Sequence, residues 1–369
     1  MNANVRNRIG RVPLLLLGMS SLVAGIWGGL VRLPLNLPLP ANNANWITFH
    51  GPLMVCGFLG TLIGLERAVG LPGRWMYAAP LLTGAGALAM VSGMMGHWPL
   101  ILITLGSAVF WIVTLRVVKM QPVPFTWLMS AGAFAWLAGN VLWWADWPVS
   151  RVVPWWIAFL ALTIIGERLD LSRFQRPSRW SAPLLWVAIG VFGAGLLLTA
   201  FVQIPGERLL GVGMILLTGW LARFDIARRS LRQTALPRFM ASALLAGYGW
   251  LALSGLLLVW FSPLTSGLRY DAFLHSFFLG FVFSMIFAHA PVIFPAVLMV
   301  MPIYTPRFYS HVILLQVGLI CRVSGDLSTS VALRKWGAIL AALAIALFLV
   351  NTVSAFLLRP SPPARKPKS

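Results

Sequence analysis

Long apolar runs, separated by short clusters of polar residues, repeat along the whole 369-residue chain. Most runs hold about 20 residues, the length of helix that crosses about 30 Å of hydrocarbon at about 1.5 Å per residue. Such runs predict membrane-spanning helices, because backbone groups inside a bilayer must form their hydrogen bonds within the chain. The pattern predicts an all-α, polytopic membrane protein of 12 transmembrane helices, at residues 13–31, 46–66, 76–96, 99–118, 124–145, 152–168, 182–203, 207–224, 238–262, 269–292, 307–323 and 334–358.

The composition agrees with this pattern. Hydrophobic residues make up 59% of the chain and charged residues only 10%, at a mean hydropathy of +0.85. An ordinary soluble domain is about half apolar and about a quarter charged, so a soluble enzyme, a secreted domain and a nucleic-acid-binding module are all excluded. Because the predicted loops are short, we expect residues 1–358 to form a single transmembrane helical domain and residues 359–369 to form a disordered basic cytoplasmic tail.

The net charge of +20 predicts the orientation of the chain in the membrane. Of the 28 lysines and arginines, 21 fall on the side of the predicted bundle that holds both termini, and seven fall on the other side. Basic residues accumulate on the cytoplasmic side of membrane proteins. We therefore expect a multi-pass protein of the inner (cytoplasmic) membrane with both termini in the cytoplasm, whose basic residues face the lipid bilayer and not a nucleic acid.

The ends of three predicted spans resemble one another. Residues 57–67 of the second span match residues 158–168 of the sixth at five of eleven positions, and both segments end in Glu-Arg. Residues 280–290 of the tenth span fit more loosely and carry His289 where the others carry Glu66 and Glu167. The spacing of four spans predicts three four-helix units around a pseudo-threefold axis. The Glu-Arg pairs are either interfacial ion pairs that anchor the topology or a point of proton uptake.

His50 and His275 share a depth in the predicted membrane. Each lies a few residues inside a span that begins at the outer face, so both imidazoles lie roughly 6 to 9 Å below that face. An iron porphyrin between two helices needs axial imidazoles from facing walls at matched depth, whereas a lone core histidine needs only one hydrogen-bond acceptor. The two residues are our candidates for a haem site in which both bind the iron.

A second pair of histidines lies nearer the cytoplasmic side. His289 is fourteen residues beyond His275 on the same span, or about 21 Å along the axis, so these two cannot share one metal. His311 begins the eleventh span at a depth near that of His289, and the two could form a second metal site. The alternative is a structural role, because a disrupted helix end at Ala290-Pro291 leaves free carbonyls that accept from imidazole.

Two segments resemble motifs of a known family. The run His50-Gly-Pro-Leu-Met-Val-Cys-Gly-Phe58 is similar to the second-helix motif of the NnrS family. The run His275-Ser-Phe-Phe-Leu-Gly280, with Arg322 in the next span, is similar to that family's late histidine-to-glycine segment and the arginine after it. Members of the family are haem- and copper-containing twelve-helix membrane proteins associated with denitrification and nitric oxide tolerance. Their fold is distantly similar to that of subunit I of haem-copper oxidases.

The resemblance implies a membrane haem protein that meets nitric oxide or another small gas and receives electrons from a donor. The chain departs from the family where the second-helix motif has a further histidine and an acidic residue, because Pro52 and Leu53 stand there. An oxidase-type copper centre needs about three imidazoles around one ion, and the five histidines form no such cluster in the sequence, so copper is doubtful. No Cys-x-x-Cys-His run is present, so the haem is expected to be non-covalent haem b.

Two classes of function follow from these residues. In the first, His50 and His275 hold haem iron for the redox handling of a small gas or for a response to nitric oxide. In the second, the chain is a secondary transporter or a proton-coupled permease without haem, whose acidic residues Glu66, Glu167, Asp271 and Asp326 serve the transport path. The sequence leaves open whether the protein is an enzyme.

Overall fold

The described part of the chain is helical throughout. The computed structural model describes residues 3–39, 44–94, 96–172, 178–298 and 304–357, and these residues contain helices and no strand. The all-α prediction is confirmed, while the predicted tail at residues 359–369 lies outside the described residues. We number the main helices α1 Ala3–Val31, α2 His50–Val69, α3 Ala78–Val91, α4 Trp98–Met120, α5 Pro124–Trp144, α6 Val149–Ser172, α7 Ser181–Phe201, α8 Gln203–Phe224, α9 Ala235–Phe261, α10 Gly267–Leu298, α11 Phe308–Leu327 and α12 Val331–Leu357.

Each main helix overlaps one of the predicted spans. Within the described residues, ten of them are long and apolar enough to cross a membrane, and these ten make the chain a multi-pass helical membrane protein. The other two are α3, which has 14 residues, and α8, which carries Glu207, Arg208 and Arg223. Both differ from the rest in length or charge and not in conformation.

Consecutive helices pack against each other as antiparallel hairpins. The close pairs are α1 with α2, α3 with α4, α5 with α6, α7 with α8, α9 with α10, and α11 with α12. Short links, such as the three residues between Leu327 and Val331, enforce this arrangement because they leave a following helix no room to reach a distant neighbour.

The interior of the bundle is aromatic and closely packed. The rings of Trp136 on α5 and Phe159 on α6 stack with their centroids 4.7 Å apart at an interplanar angle of 8°. Trp156 donates its indole N–H to Asn140 Oδ1 at 3.0 Å, so the buried polar edge of its ring is satisfied. Large apolar side chains such as Phe201 and Trp260 are exposed on the outside of the bundle. Large apolar side chains thus lie both in the interior and on the outer surface of the bundle, a distribution that a lipid environment allows.

A glycine permits the closest contact between α9 and α10. A Cβ atom added to Gly280 would lie 2.4 Å from Cγ of Trp250, well inside van der Waals contact. The indole N–H of Trp250 in turn donates to Gln316 Oε1 on α11 at 2.6 Å. Gly280 therefore leaves the space that the Trp250 ring occupies, and this ring links α9, α10 and α11.

We expect Gly280→Ala to destabilise the protein by about 1 to 3 kcal/mol, the usual range for overpacking a filled interior. The indole must move, and its hydrogen bond to Gln316 is lost with it. The control is Gly190→Ala on α7, where an added Cβ meets nothing within 4 Å and alanine gains helix propensity. The midpoint of thermal unfolding in detergent should fall for the first variant only, and equal midpoints would contradict the packing described above.

Candidate functional site

Two unusual helical segments begin three residues after His50 and one residue after His275. Residues Leu53–Gly60 of α2 and Ser276–Phe283 of α10 are π-helical, with α-helix on both sides. Such wide turns are rare in helices and are often found at functional sites. In the alignment of the repeated segments, which pairs Gly57 with Gly280, the two π-helical stretches occupy the same positions.

The imidazoles of His50 and His275 face each other between α2 and α10. Their ring centroids lie 6.5 Å apart, and the ring planes differ by 20°. Two imidazoles bound to one metal ion from opposite sides, through bonds of about 2.0 to 2.1 Å, have ring centres about 6.3 Å apart, because each nitrogen lies about 1.1 Å from its ring centre. The spacing of the two predicted ligands therefore fits one metal ion between them.

One nitrogen of each ring is already engaged by the backbone. Nδ1 of His50 lies 2.5 Å from the carbonyl oxygen of Gly25, and Nδ1 of His275 lies 2.8 Å from that of Asp271. A carbonyl can only accept, so both Nδ1 atoms carry the proton and donate. In the part of the chain that the structure describes, neither Nε2 has a hydrogen-bond partner. Metal-bound histidines use this arrangement, in which an outer acceptor fixes the tautomer and leaves the other nitrogen free.

Helix α1 supplies both the acceptor and the space for His50. Gly25 accepts the hydrogen bond, and a Cβ atom on Gly29 would lie 2.7 Å from Cε1 of the imidazole. The two glycines form a small-xxx-small pair, the spacing that lets membrane helices approach closely. Sequence analysis missed these residues, although the Gly-xxx-Gly spacing was available as a signal.

A cavity of about 350 Å³ surrounds the two histidines, within the usual range for sites of small molecules and cofactors. Its walls come from α1, α2, α6, α10, α11 and α12 and are mostly apolar. Two arginines, Arg32 and Arg322, join the histidines in the lining. The cavity thus combines an apolar interior, two facing imidazoles and two guanidinium groups.

Asp271 connects His275 to α11. Its Oδ1 lies 3.3 Å from Nδ1 of His275, and its Oδ2 pairs with Arg322. Arg322 also approaches Asp326, which pairs with Arg334 at 2.7 Å. Arg269, in contrast, lies over the ring of Phe261 at 4.4 Å. Arg322 on α11, and not Arg269 near the start of α10, is therefore the arginine that pairs with Asp271.

Arg32 lies just after α1, outside the membrane-spanning segments. Its Nε and Nη2 donate to the carbonyl oxygen of Ile47 at 3.1 and 2.7 Å. Burial lowers the pKa of Arg32 below its ordinary value, and the negative charge of Asp271 acts against that shift. Arg32 nevertheless remains cationic at neutral pH, because an arginine starts from a pKa far above 7.

A second cavity, of about 90 Å³, lies between α2, α6 and α10. It is lined by corresponding positions of the three repeated segments, so Glu66, Glu167 and His289 all border it. The complete corresponding sets are Leu59, Leu62, Ile63 and Glu66 on α2, Leu160, Thr163, Ile164 and Glu167 on α6, and Val282, Met285, Ile286 and His289 on α10. We call this space the axial cavity.

Arginines link the three segments in one direction around the axial cavity. Arg67 of α2 pairs with Glu167 of α6, and Arg168 of α6 donates to Nε2 of His289 on α10 at 3.1 Å. The corresponding residue of α10 is Ala290, so no third arginine reaches back to Glu66. Each of the first two segments therefore binds the next, and the third link is missing.

His289 and His311 have separate surroundings. Nδ1 of His289 donates to the carbonyl oxygen of Met285 at 2.8 Å, and its Nε2 is taken by Arg168. His311 is 2% exposed, accepts from Asn351 Nδ2 at 3.1 Å and packs edge-on against Phe287 at 4.8 Å. The structure thus gives the two members of the predicted second site different partners. Within the described ranges, no group of three or more His, Cys, Asp and Glu side chains could hold a metal ion.

The ten apolar helices and the polar groups between them define the class of this protein, a polytopic helical membrane protein with a half-buried histidine pair. The chain belongs to the family of the domain of unknown function DUF8744, whose profile matches residues 11–357. No curated protein matches the chain.

The ion pair between Arg168 and Asp225 is the most deeply buried one described. The guanidinium donates through Nε and Nη2 to the carboxylate at 2.8 and 2.7 Å, and the two side chains are 1% and 0% exposed. We expect Arg168→Met to destabilise the protein by about 3 to 5 kcal/mol, because it leaves a buried carboxylate without its counter-charge.

The double variant Arg168→Met/Asp225→Asn tests this explanation. It removes both charges and keeps an oxygen for the backbone N–H of Ala227, which donates to Asp225 Oδ1 at 2.7 Å. Thermal unfolding in detergent should show most of the lost stability restored. A double variant no more stable than Arg168→Met would mean that the arginine acts by packing and not by charge.

Proposed function

We propose that the protein is an integral membrane haem-binding protein, similar in function to the NnrS family, in which His50 and His275 would hold one haem iron. The observation that carries this proposal is the separation of 6.5 Å between two facing imidazoles. The role implied by the resemblance is a response to nitric oxide or the redox handling of a small gas. Haem bound there would supply one-electron redox chemistry and an iron that binds diatomic gases.

The residues around the cavity fit such a group in three respects. The Nδ1 atoms of both histidines donate to carbonyls and leave Nε2 for the metal. The apolar walls exclude water from a flat organic ring. Arg32 and Arg322 offer guanidinium groups to the carboxylates that haem b carries. Since the sequence has no Cys-x-x-Cys-His run, we propose non-covalent binding.

The contacts of the two imidazoles also indicate whether electron transfer or gas binding is the favoured role. Two imidazoles that both hold the iron would favour electron transfer, because they would leave little room on it for a gas. His275 is held by both the carbonyl and the carboxylate of Asp271, while His50 has the carbonyl of Gly25 alone. Asp271 therefore fixes the position of His275 more firmly than Gly25 fixes that of His50. Copper is not part of the proposal, because an oxidase-type centre needs about three imidazoles.

We also propose that all twelve main helices cross the inner membrane, with both termini in the cytoplasm, as three units around a pseudo-threefold axis. Two observations support the symmetry. Corresponding residues of α2, α6 and α10 line the axial cavity, and the π-helical stretches of α2 and α10 correspond. Crossing by α8 requires that its charges be satisfied inside, and Glu207 does accept from Gln203 and from the backbone N–H of Leu264.

We expect the protein purified from haem-replete cells to show the visible spectrum of a six-coordinate, low-spin haem with two imidazole ligands. His50→Ala and His275→Ala should each abolish that spectrum, because each removes one axial ligand. His97→Ala is the matched control, since His97 is an exposed histidine before α4. It should leave the spectrum unchanged.

Two results would contradict the haem proposal. The first is a colourless wild-type protein whose helical content and thermal unfolding show that it is folded. The second is an unaltered haem spectrum in both His50→Ala and His275→Ala. A spectrum lost in one variant alone would reduce the proposal to a five-coordinate iron.

The axial cavity favours a second candidate function, which is proton-coupled transport. Arg67 pairs with Glu167, and Arg168 pairs with Asp225 and donates to His289. Glu66 borders the same cavity, but its carboxyl has no hydrogen-bond donor or cation bound to it among the residues described. His289 is held neutral, because Arg168 occupies its Nε2 and its Nδ1–H is donated to a carbonyl. Glu66 is thus the group in this cavity that is free to gain or lose a proton.

We expect a substantial fraction of Glu66 to be protonated at neutral pH, because an unmatched carboxylate beside Glu167 in an apolar cavity is costly. Infrared spectroscopy of the purified protein should then show the carbonyl stretch of a protonated carboxyl, with a shift in D₂O. Glu66→Gln should remove this band. Asp146→Asn, which alters an exposed loop carboxylate, should leave it in place. A band that survives in Glu66→Gln would remove the basis for proton coupling through this cavity.

A further inference from the structure

A large cleft lies at the end of the bundle that holds the carboxyl ends of α6 and α8. Its volume is about 1280 Å³, and it is bordered by the ends of α4, α6 and α8 and the beginnings of α5 and α7. The floor is apolar and includes Leu169, Leu185 and Trp220. Trp186 also lines the cleft and is 46% exposed, so part of the wall faces the perimeter of the bundle, where acyl chains lie.

Four arginines line the same cleft, namely Arg223, Arg228, Arg229 and Arg232, and all are exposed. None of the four pairs with a carboxylate in the part of the chain that the structure describes. The acidic residue in the lining, Asp225, is itself buried and committed to Arg168 and to the N–H of Ala227. It therefore does not neutralise the arginines, and the cleft carries a concentrated positive charge over an apolar floor.

A hydroxyl group adds a neutral hydrogen-bond donor to these charges. Oγ of Ser172, at the end of α6, lines the cleft, is buried and has no hydrogen-bond partner among the described residues. A buried hydroxyl without a partner is costly. An oxygen-rich anion next to the arginines would satisfy it.

We propose that this cleft binds one anionic phospholipid, with its phosphodiester on the arginines and Ser172 and its acyl chains along the apolar floor. The guanidinium fork matches the oxygens of a phosphate, and basic pockets between membrane helices on the cytoplasmic side bind such headgroups. A free phosphate ion shares the first half of this chemistry. It would leave the apolar floor uncovered, and for this reason the lipid is the better occupant.

The test is a titration of the full-length protein in detergent, followed by native mass spectrometry, with three probes: dioleoyl-phosphatidylglycerol, dioleoyl-phosphatidylcholine and inorganic phosphate. We expect one phosphatidylglycerol to be retained in preference to phosphatidylcholine. In Arg228→Gln/Arg229→Gln its dissociation constant should rise by about thirtyfold, from about fivefold per arginine near an anionic lipid. Excess inorganic phosphate should displace it poorly.

The matched control is Arg74→Gln/Arg116→Gln, which removes the same charge at the same end of the bundle from two exposed residues outside the cleft. This variant should bind phosphatidylglycerol as the wild type does.

Equal weakening in both double variants would overturn the proposal in favour of diffuse surface charge. Equal retention of phosphatidylcholine, or displacement of the lipid by phosphate at matched concentration, would overturn it too. If Arg228→Gln/Arg229→Gln does not fold, Arg232→Gln takes its place, with an expected loss of about fivefold.

Discussion

Polar groups that lie inside a bilayer must find their partners within the protein, and the arrangement of this bundle depends on that constraint. With the exception of Glu66, the acidic, basic and histidine residues that face the two cavities from α2, α6, α10 and α11 bind carbonyls or opposite charges. Arg168 shows the consequence most clearly, because it binds Asp225 through two nitrogens and His289 through a third. A membrane helix with such a side chain can pack in few orientations, so the polar contacts fix the rotation of each helix while apolar packing fixes its distance.

The same constraint explains what could be predicted from the sequence. Apolar runs of about 20 residues have one stable form in lipid, a helix, and each of the twelve predicted runs overlaps a main helix. Depth along a helix follows from residue count alone, which is why His50 and His275 could be paired from the sequence. Asp271, four residues before His275 on the same helix, could likewise be predicted as the acceptor for that imidazole. The acceptor for His50 could not, since the carbonyl of Gly25 lies on a different helix and its approach depends on Gly29.

Partner choice among charged residues was the least predictable part. Arg269 is two residues from Asp271 in sequence, yet the carboxylate pairs with Arg322 on α11. Neighbours in sequence point to different sides of a helix, so a charge pair in a membrane bundle is set by which helix lies opposite. Likewise Glu66 adjoins Arg67, and the arginine reaches Glu167 instead. The loose repeat in residues 57–67, 158–168 and 280–290 was the better guide, because corresponding positions of the three segments line one cavity.

The two cavities of the bundle are not independent. Leu59 lines both the histidine cavity and the axial cavity, and it lies within the π-helical stretch of α2 that follows His50. Single π-helical turns inside α-helices are frequent at functional sites, and this stretch forms part of the wall of both cavities. His50 and Glu66 lie on one helix, on either side of the π-helical stretch. The walls of the two cavities are therefore built in part by the same helix, and a substitution in the shared stretch alters both.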